Sequence, residues 1–289
     1  MNKEHATRRG IFLHPLAIAV SYFLMVGLGG PMPAPARQPG NERTATAGKV
    51  GNSGLPMASY LRFDGVRSYV EIPSSNVFSL SAGGGITVSA WIRPATLNFP
   101  STEGSGYVHW MGKGEKGRYE WVFRMYSQGN AENRGNRISF YVFNAQGGEG
   151  VGSYFEDAIV PGQWIHVVGV ADSQRTYMYK NGELRRCDQY RGSGDGTCVK
   201  HPIQVDPEAG SAPVRIGTRD LKSFFKGDIR EVRIWDRALT GSEISGLYSR
   251  RSVPPKGLAA EYLLTNGTAR DTTGAHNGAI FGASWIPQT

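Results

Sequence analysis

Hydrophobic and polar residues alternate along most of the chain from residue 60 onward. Residues 86–93 would place Ile, Val, Ala and Ile on one face of a strand and Thr, Ser, Trp and Arg on the other. Residues 119–127 and 137–147 alternate in the same way, which is typical of strands with one buried face. Residues 162–172 are more continuously apolar, as in a strand covered on both faces. The pattern predicts an all-β domain.

Turn signals separate these strands, and one segment has helical spacing. Asn-Gly at residues 181–182 supplies the positive φ angles that a two-residue hairpin turn needs. Thr240 and Glu243 form a capping box before apolar residues at 244–248, and two prolines at 254–255 prevent continuation. Strands at intervals of roughly ten residues with one short helix near residue 245 predict a two-sheet antiparallel sandwich.

Composition narrows the class of protein. The 289 residues include 39 glycines and 16 prolines, and only 19% are charged. A coiled coil or helical bundle would instead be rich in Ala, Glu, Lys and Leu. The 11% of aromatic residues is enough to build a core, so disorder of the whole chain is not expected.

The N-terminal segment has the layout of an export signal. Two adjacent arginines precede an apolar run at residues 11–30, and a small-residue cleavage pattern ends at Ala36. Residues 1–36 are therefore interpreted as a signal peptide or an uncleaved membrane anchor. Residues 37–58 are expected to form a flexible linker, followed by the folded domain at 59–289. The domain is expected to be extracellular, periplasmic or at the cell surface.

Two cysteines agree with an oxidising compartment. Cys187 and Cys198 flank a ten-residue loop rich in Gly and Asp, and we predict that they form a disulfide. A metal site would require two more soft ligands, and His201 is the only one close in sequence. The formal charge of +8 is scattered, whereas nucleic-acid binding usually requires a clustered basic stripe. No nucleic-acid partner is predicted.

Six segments occur in the order and spacing of a known family. The resemblance covers residues 60–249 and is to laminin G-like jelly-roll domains of the concanavalin A-like lectin/glucanase superfamily. It implies an extracellular module that binds glycans or proteins through a concave sheet or rim loops, often with a calcium ion. The segments are LRFDGVRSYVEIP, ITVSAWIRP, GQWIHVVGVAD, MYKNGEL, RIGT and KGDIREVRIWDRALTGSEISGLY.

The catalytic pattern of the glucanase relatives is absent from the sequence. Those relatives carry E-x-D-x-(x)-E on one strand, which places nucleophile and acid on the same face. No Glu of this chain is followed two residues later by Asp. Together with what the resemblance implies, this absence favours a non-catalytic module that recognises a carbohydrate or glycoconjugate. The alternatives are a protein-binding adhesion or structural domain, and a polysaccharide lyase or hydrolase with an unrecognised site.

Sugar binding usually requires an aromatic ring that stacks on a pyranose, together with fixed polar groups. Arg124 and Tyr126 would share one strand face, and Arg137 and Tyr141 a face of the next strand. If these faces adjoin, they form a basic aromatic patch suited to an acidic glycan; the alternative is that the rings pack under loops. The candidate residues are Tyr107, Trp110, Arg124, Tyr126, Arg137 and Tyr141.

Calcium is the expected cofactor, because it prefers oxygen ligands near turns. Asp64 and Asp271 both precede or begin turns, and we hypothesise that they approach each other at an edge of the sandwich. The alternative is that each carboxylate accepts hydrogen bonds from its own turn. The chain differs from many members of the family it resembles at one position, because Arg230 stands where those members have Asp. Whether Asp228 substitutes for that carboxylate stays open.

Overall fold

The computed structural model describes residues 59–80, 84–145 and 148–287. The predicted signal or anchor segment and the predicted linker lie outside these residues. The described elements include the short 3-10 turn Asn76–Phe78 and one helix, α1 (Gly241–Tyr248). The strands are β1 (Tyr60–Asp64), β2 (Tyr69–Ile72), β3 (Ile86–Pro94), β4 (Tyr107–Glu115), β5 (Arg118–Tyr126), β6 (Ile138–Phe143), β7 (Gly150–Phe155), β8 (Ile165–Ala171), β9 (Arg175–Lys180), β10 (Glu183–Gln189), β11 (Val199–Lys200), β12 (Val214–Ile216), β13 (Lys226–Trp235), β14 (Leu258–Tyr262), β15 (Ala279–Phe281) and β16 (Ser284–Ile286).

Two sheets face each other across the core. The nine-stranded sheet has the order β11-β10-β9-β8-β3-β13-β1-β16, and β14 also pairs with β13. The seven-stranded sheet has the order β15-β2-β12-β4-β5-β6-β7. All described pairings are antiparallel except β10 with β11. The prediction of an all-β jelly-roll sandwich with one short helix is confirmed.

Alternation along the strands determines which side chains enter the core. Ile86, Val88, Ala90 and Ile92 of β3 are all fully buried between the sheets, as the sequence pattern predicts. Burying an aliphatic side chain of this size stabilises the fold by roughly 1.5–3 kcal/mol. A one-residue slip of β3 would move this whole set to the opposite face, so the buried face determines its register.

Helix α1 covers the outer face of the nine-stranded sheet. The Thr240 hydroxyl accepts a hydrogen bond from the Glu243 amide, and the Glu243 carboxylate accepts one from the Thr240 amide, which confirms the capping box. Ile244 packs against Val168 and Trp235 of the sheet. In the part of the chain that the structure describes, no helix is long and apolar enough to span a bilayer.

His166 of β8 is a structural histidine. It is 1% exposed, and its ring lies 5.1 Å from that of Trp91. Burial, with smaller contributions from Arg233 and Arg250, lowers the pKa of His166 to about 3. The imidazole is therefore neutral at physiological pH.

The predicted disulfide is present. Cys187 and Cys198 are bonded, with a Cα–Cα distance of 5.1 Å. The bond closes the loop between β10 and β11, the parallel pair at the edge of the nine-stranded sheet. It therefore holds β11, a two-residue edge strand that pairs with β10 alone among the described strands.

A buried ion pair joins β4 and β5. The β-bulge between Lys113 and Gly114 leaves Glu120 as the extra residue of β5. Lys113 and Glu120 are 0% and 2% exposed, and the ammonium contacts the carboxylate. The Lys113 Nζ also donates to the Gly210 carbonyl oxygen at 2.7 Å. Burial raises the pKa of Glu120 despite the neighbouring ammonium.

Candidate functional site

The outer faces of β5 and β6 form one continuous surface on the seven-stranded sheet. Residues 121, 123 and 125 of β5 pack in the core, so the alternating positions, which include Arg124, face outward. In the pairing of β5 with β6, Val122 is opposite Tyr141 and Arg124 is opposite Ser139. The structure therefore brings Arg124 and Tyr141 together, as the predicted patch requires.

Arg124 lies between two tyrosine rings. Its guanidinium carbon is 4.0 Å from the ring centroid of Tyr107 and 5.1 Å from that of Tyr141. Its side chain approaches the Tyr126 hydroxyl at 3.5 Å, and its Nε atom is buried without a hydrogen-bond partner. Among the described residues, no carboxylate forms a salt bridge with Arg124. Its charge faces two ring surfaces and one phenol hydroxyl, which offset it only weakly.

The two tyrosines beside Arg124 stay protonated. Burial is the largest influence on both phenols and raises the pKa of Tyr107 and of Tyr141, although nearby Arg124 acts in the opposite direction. A neutral phenol offers an O–H donor as well as an apolar ring face. Tyr107, Arg124 and Tyr141 thus combine a cation, two donors and two stacking surfaces.

A second arginine–tyrosine contact extends this surface onto β7. Two guanidinium groups lie over the ring of Tyr154: the guanidinium carbon of Arg137 is 3.8 Å from the ring centroid and that of Arg186 is 4.3 Å from it. Arg137 forms a salt bridge with Glu156 at 2.6 Å, and Arg186 one with Asp188 at 2.8 Å. These two charges are therefore compensated, unlike that of Arg124. We call Tyr107, Arg124, Arg137, Tyr141 and Tyr154 the arginine–tyrosine face.

For two of the six predicted binding residues, Trp110 and Tyr126, the structure contradicts a role in ligand contact. Trp110 is 0% exposed, because it lies in the core stacked on Phe123 at 4.4 Å. Tyr126 is 1% exposed, and its hydroxyl accepts a hydrogen bond from Arg134 at 3.0 Å. Neither ring can stack on a ligand. Tyr126 instead supports Tyr107, whose ring centroid is 5.4 Å away.

A histidine and two carboxylates lie beside Tyr107. Nδ1 of His109 is 2.6 Å from Oε1 of Glu103 and 3.9 Å from Oδ1 of Asp220. The ring of His109 is 5.2 Å from that of Tyr107. Burial alone would raise the pKa of both carboxyl groups. The contact with His109 outweighs burial and lowers the pKa of Glu103, and His109 together with the Arg219 guanidinium lowers the pKa of Asp220. Both acids are therefore ionised at neutral pH.

Asp64 and Asp271 do not share a site. The Asp64 carboxylate accepts hydrogen bonds from three backbone amides of its own turn, at residues 66–68. Asp271 does the same with Glu261 and its own turn. Asp64 pairs with Lys226 of β13. Asp271 forms a β-bridge with Tyr262, and Tyr262 pairs with Val232, six residues further along the same strand β13. Six residues along a strand amount to roughly 20 Å, so the two carboxylates do not approach each other as hypothesised.

Arg230 and Asp228 also have structural roles. Arg230 is buried, with its guanidinium carbon 4.5 Å from the Trp164 ring, and burial lowers its pKa. The Asp228 carboxylate forms salt bridges with Arg62 at 2.9 Å and Arg93 at 2.6 Å. In this structure the Asp228 carboxylate is therefore the shared partner of two guanidinium groups.

The sequence analysis missed Tyr154, His109, Glu103 and Asp220. The alternation of β7 could have placed Tyr154 on the outer face. The other three come from a turn, a strand and a distant loop, so no spacing in the sequence connects them. Among the described residues, they form the one group of three such side chains close enough to hold a metal ion.

Comparison with known proteins agrees with this architecture. Residues 64–245 match the laminin G model of the concanavalin A-like lectin/glucanase superfamily, which is more than half of the chain. The chain belongs to that superfamily. The resemblance inferred from the six sequence segments is thereby confirmed. No match was found among curated proteins.

Two solved structures share the fold. A candidate carbohydrate-binding protein from Bacteroides ovatus is 18% identical with a TM-score of 0.55, and the match covers 81% of this chain and 60% of that one. A SAP-like pentraxin from Limulus polyphemus is 13% identical with a TM-score of 0.50, covering 82% of this chain and 98% of that one. At these identities the likeness concerns the fold alone.

Proposed function

We propose that the protein is an exported, non-catalytic binding module whose arginine–tyrosine face recognises an acidic glycan or glycoconjugate. The observation that carries this proposal is Arg124, a half-buried cation that contacts Tyr107 and Tyr141 and has no carboxylate partner among the described residues. A uronate or sulfate group would supply the missing anion. The predicted signal peptide and the disulfide, which suits an oxidising compartment, support export.

The chemistry of the face fits a charged sugar. The apolar C–H face of a pyranose stacks on a phenol ring, and the guanidinium provides paired donors for a carboxylate or sulfate. A charge-assisted hydrogen bond of this kind contributes about 1.5–3 kcal/mol. Arg137 and Arg186 already have acidic partners, so Arg124 is the expected anchor.

The acidic groups near the face favour binding over hydrolysis. A glycosidase acid requires a carboxyl group with a raised pKa, whereas the pKa values of Glu103 and Asp220 are lowered. An eliminating lyase would need a base that reaches the sugar, and His109 is 1% exposed. The arrangement of Arg124, Tyr107 and His109 nevertheless keeps a lyase as an explicit outcome of the test.

Protein binding is the second candidate, because the C-terminal strands expose large apolar side chains. Trp285 and Phe281 are 45% and 43% exposed, and Phe281 stacks on Tyr69 at 4.7 Å. Such a surface suits a protein partner better than a charged sugar. It lies on β15 and β16, strands distinct from those that carry Arg124.

An array of acidic and neutral glycans with the purified protein tests the proposal. We expect binding to uronate or sulfate glycans that weakens with salt, and a loss of about 10–100-fold in Arg124→Gln. The matched control is Arg67→Gln, which removes an exposed charge away from the face. Equal losses in both variants, preference for neutral glycans, or appearance of unsaturated sugar products would contradict it.

A further inference from the structure

Three side chains of types that bind metal ions converge beside Tyr107 of the arginine–tyrosine face, from distant parts of the chain. Glu103 lies in the turn before β4, His109 in β4 and Asp220 in the loop between β12 and β13. One ligand atom of each lies within 4.8 Å of the other two. For bonds of about 2.0–2.2 Å around a tetrahedral ion, ligand atoms are roughly 3.4 Å apart. The observed 2.6 and 3.9 Å separations around His109 Nδ1 fall on either side of that value.

Buried polar atoms in this group lack hydrogen-bond partners. His109 is 1% exposed, yet neither of its ring nitrogens forms a hydrogen bond; Oδ1 of Asp220 is also buried and without one. The Nδ1 atom of His109 is close to Glu103, but not in the direction of a hydrogen bond. A buried polar atom left without a partner costs about 1–3 kcal/mol. A bound cation would satisfy Nδ1 and Oδ1 together.

Neighbouring groups hold the three side chains in this orientation. The Ser223 hydroxyl accepts a hydrogen bond from the His109 amide at 3.0 Å and donates one to Oε1 of Glu103 at 2.7 Å. Arg219 engages Oδ2 of Asp220 at 3.0 Å, which leaves Oδ1 directed at His109. Outer hydrogen bonds of this kind orient ligands in metal sites. Glu103 is 17% exposed and gives the group its contact with solvent.

We propose that Glu103, His109 and Asp220 bind a divalent transition-metal ion of the Zn²⁺ or Mn²⁺ class. One imidazole nitrogen with two carboxylates suits these ions, whereas Ca²⁺ takes six to eight oxygen ligands. The two carboxylates balance the charge of the ion, and a ring nitrogen of histidine binds such an ion through its lone pair. Three protein ligands leave a coordination position open for water or a ligand oxygen.

Titration calorimetry with Zn²⁺ on the untagged, chelator-treated protein tests this site. We expect one Zn²⁺ per chain, a rise in melting temperature, and no comparable response to Ca²⁺. Glu103→Gln is the central variant because this residue reaches solvent and Gln preserves its size; its Zn²⁺ affinity should fall at least about 100-fold. Ser223→Ala, a positioning variant, should lose about 10-fold. His201→Gln, which removes a histidine paired with Asp188, is the matched control.

Several results would overturn the proposal. These are absence of Zn²⁺ binding, equal affinity in Glu103→Gln and the parent protein, or an equal loss in His201→Gln. Visible absorption of bound Co²⁺, present in the parent and absent in Glu103→Gln, gives a second readout that a general loss of stability does not imitate. Far-UV circular dichroism confirms that each variant is folded. Because Arg124 is not a ligand, glycan binding that fails while Zn²⁺ binding persists would refute the proposed function alone.

Discussion

The buried pair of Lys113 and Glu120 allows a quantitative test of the fold beside the candidate face. Lys113→Met keeps an unbranched side chain that is only one heavy atom shorter, but it leaves the Glu120 carboxylate buried without its cation. Removing one partner of a buried ion pair costs about 3–5 kcal/mol, whereas replacing both with apolar or neutral groups is often close to neutral. We therefore expect Lys113→Met to be strongly destabilised and the double variant Lys113→Met, Glu120→Gln to recover most of the loss.

The same pair gives a dependence on pH with a defined sign. Burial raises the pKa of Glu120 above its ordinary value of 4.5, so the folded state binds this proton more tightly than the unfolded chain. The contribution of Glu120 is therefore complete below the unfolded pKa and is lost as pH rises through the folded one. In Lys113→Met the pKa should rise further, so the penalty of this variant should shrink as the solution is acidified toward pH 4.5.

Urea and thermal unfolding followed by circular dichroism provide the measurement. For a chain of this size, 1 kcal/mol corresponds to about 2–4 °C in melting temperature, so Lys113→Met should melt at least about 6 °C below the parent. The control is Lys116→Met, an exposed lysine of the same hairpin, which should change little. The reasoning is refuted if Lys113→Met resembles that control, or if the double variant is less stable than Lys113→Met alone.

Two further predictions concern local structure. Replacing Cys187 and Cys198 with serine removes the cross-link between residues 11 positions apart and should lower the free energy of unfolding by ~3 kcal/mol. Urea unfolding without reductant measures this difference. An unchanged free energy of unfolding would contradict the loop-closure reasoning. His166 has a folded pKa of about 3, below its ordinary 6.5, so its contribution to stability is present above 6.5 and declines as pH falls toward 3. Its imidazole NMR signals should stay constant from about pH 8 to about pH 5; a titration near 6.5 would contradict its burial.

Taken together, the two proposals assign different tasks to neighbouring parts of the seven-stranded sheet. Arg124 and its tyrosines would contact the glycan, and the group of Glu103, His109 and Asp220 would fix the base of Tyr107, whose ring lies against His109. A metal-dependent change in glycan affinity would link them. Independence of the two binding events would leave both proposals standing.

Local features of the sequence determined much of this protein. Alternation identified the buried face of β3 because a strand with one covered face repeats every two residues. The capping box at Thr240 and Glu243 depends on hydrogen bonds within four residues. The disulfide of Cys187 and Cys198 needed only a short loop. These features are short in range, so neighbouring residues are sufficient to specify them.

Only the tertiary structure decided the composition of the candidate sites. Trp110 and its neighbour Met111 are both in the core because a β-bulge interrupts the alternation of β4 between His109 and Met111, and a bulge has no fixed signal in the sequence. Asp220 lies close to Glu103 although the two residues are more than one hundred positions apart in the sequence. Asp64 and Asp271 lie far apart because the strands that carry them meet β13 at different points. Alternation tells which face of a strand is buried, but not which strand lies beside it. That choice depends on packing across the whole core, and it places Arg124 between its two tyrosines.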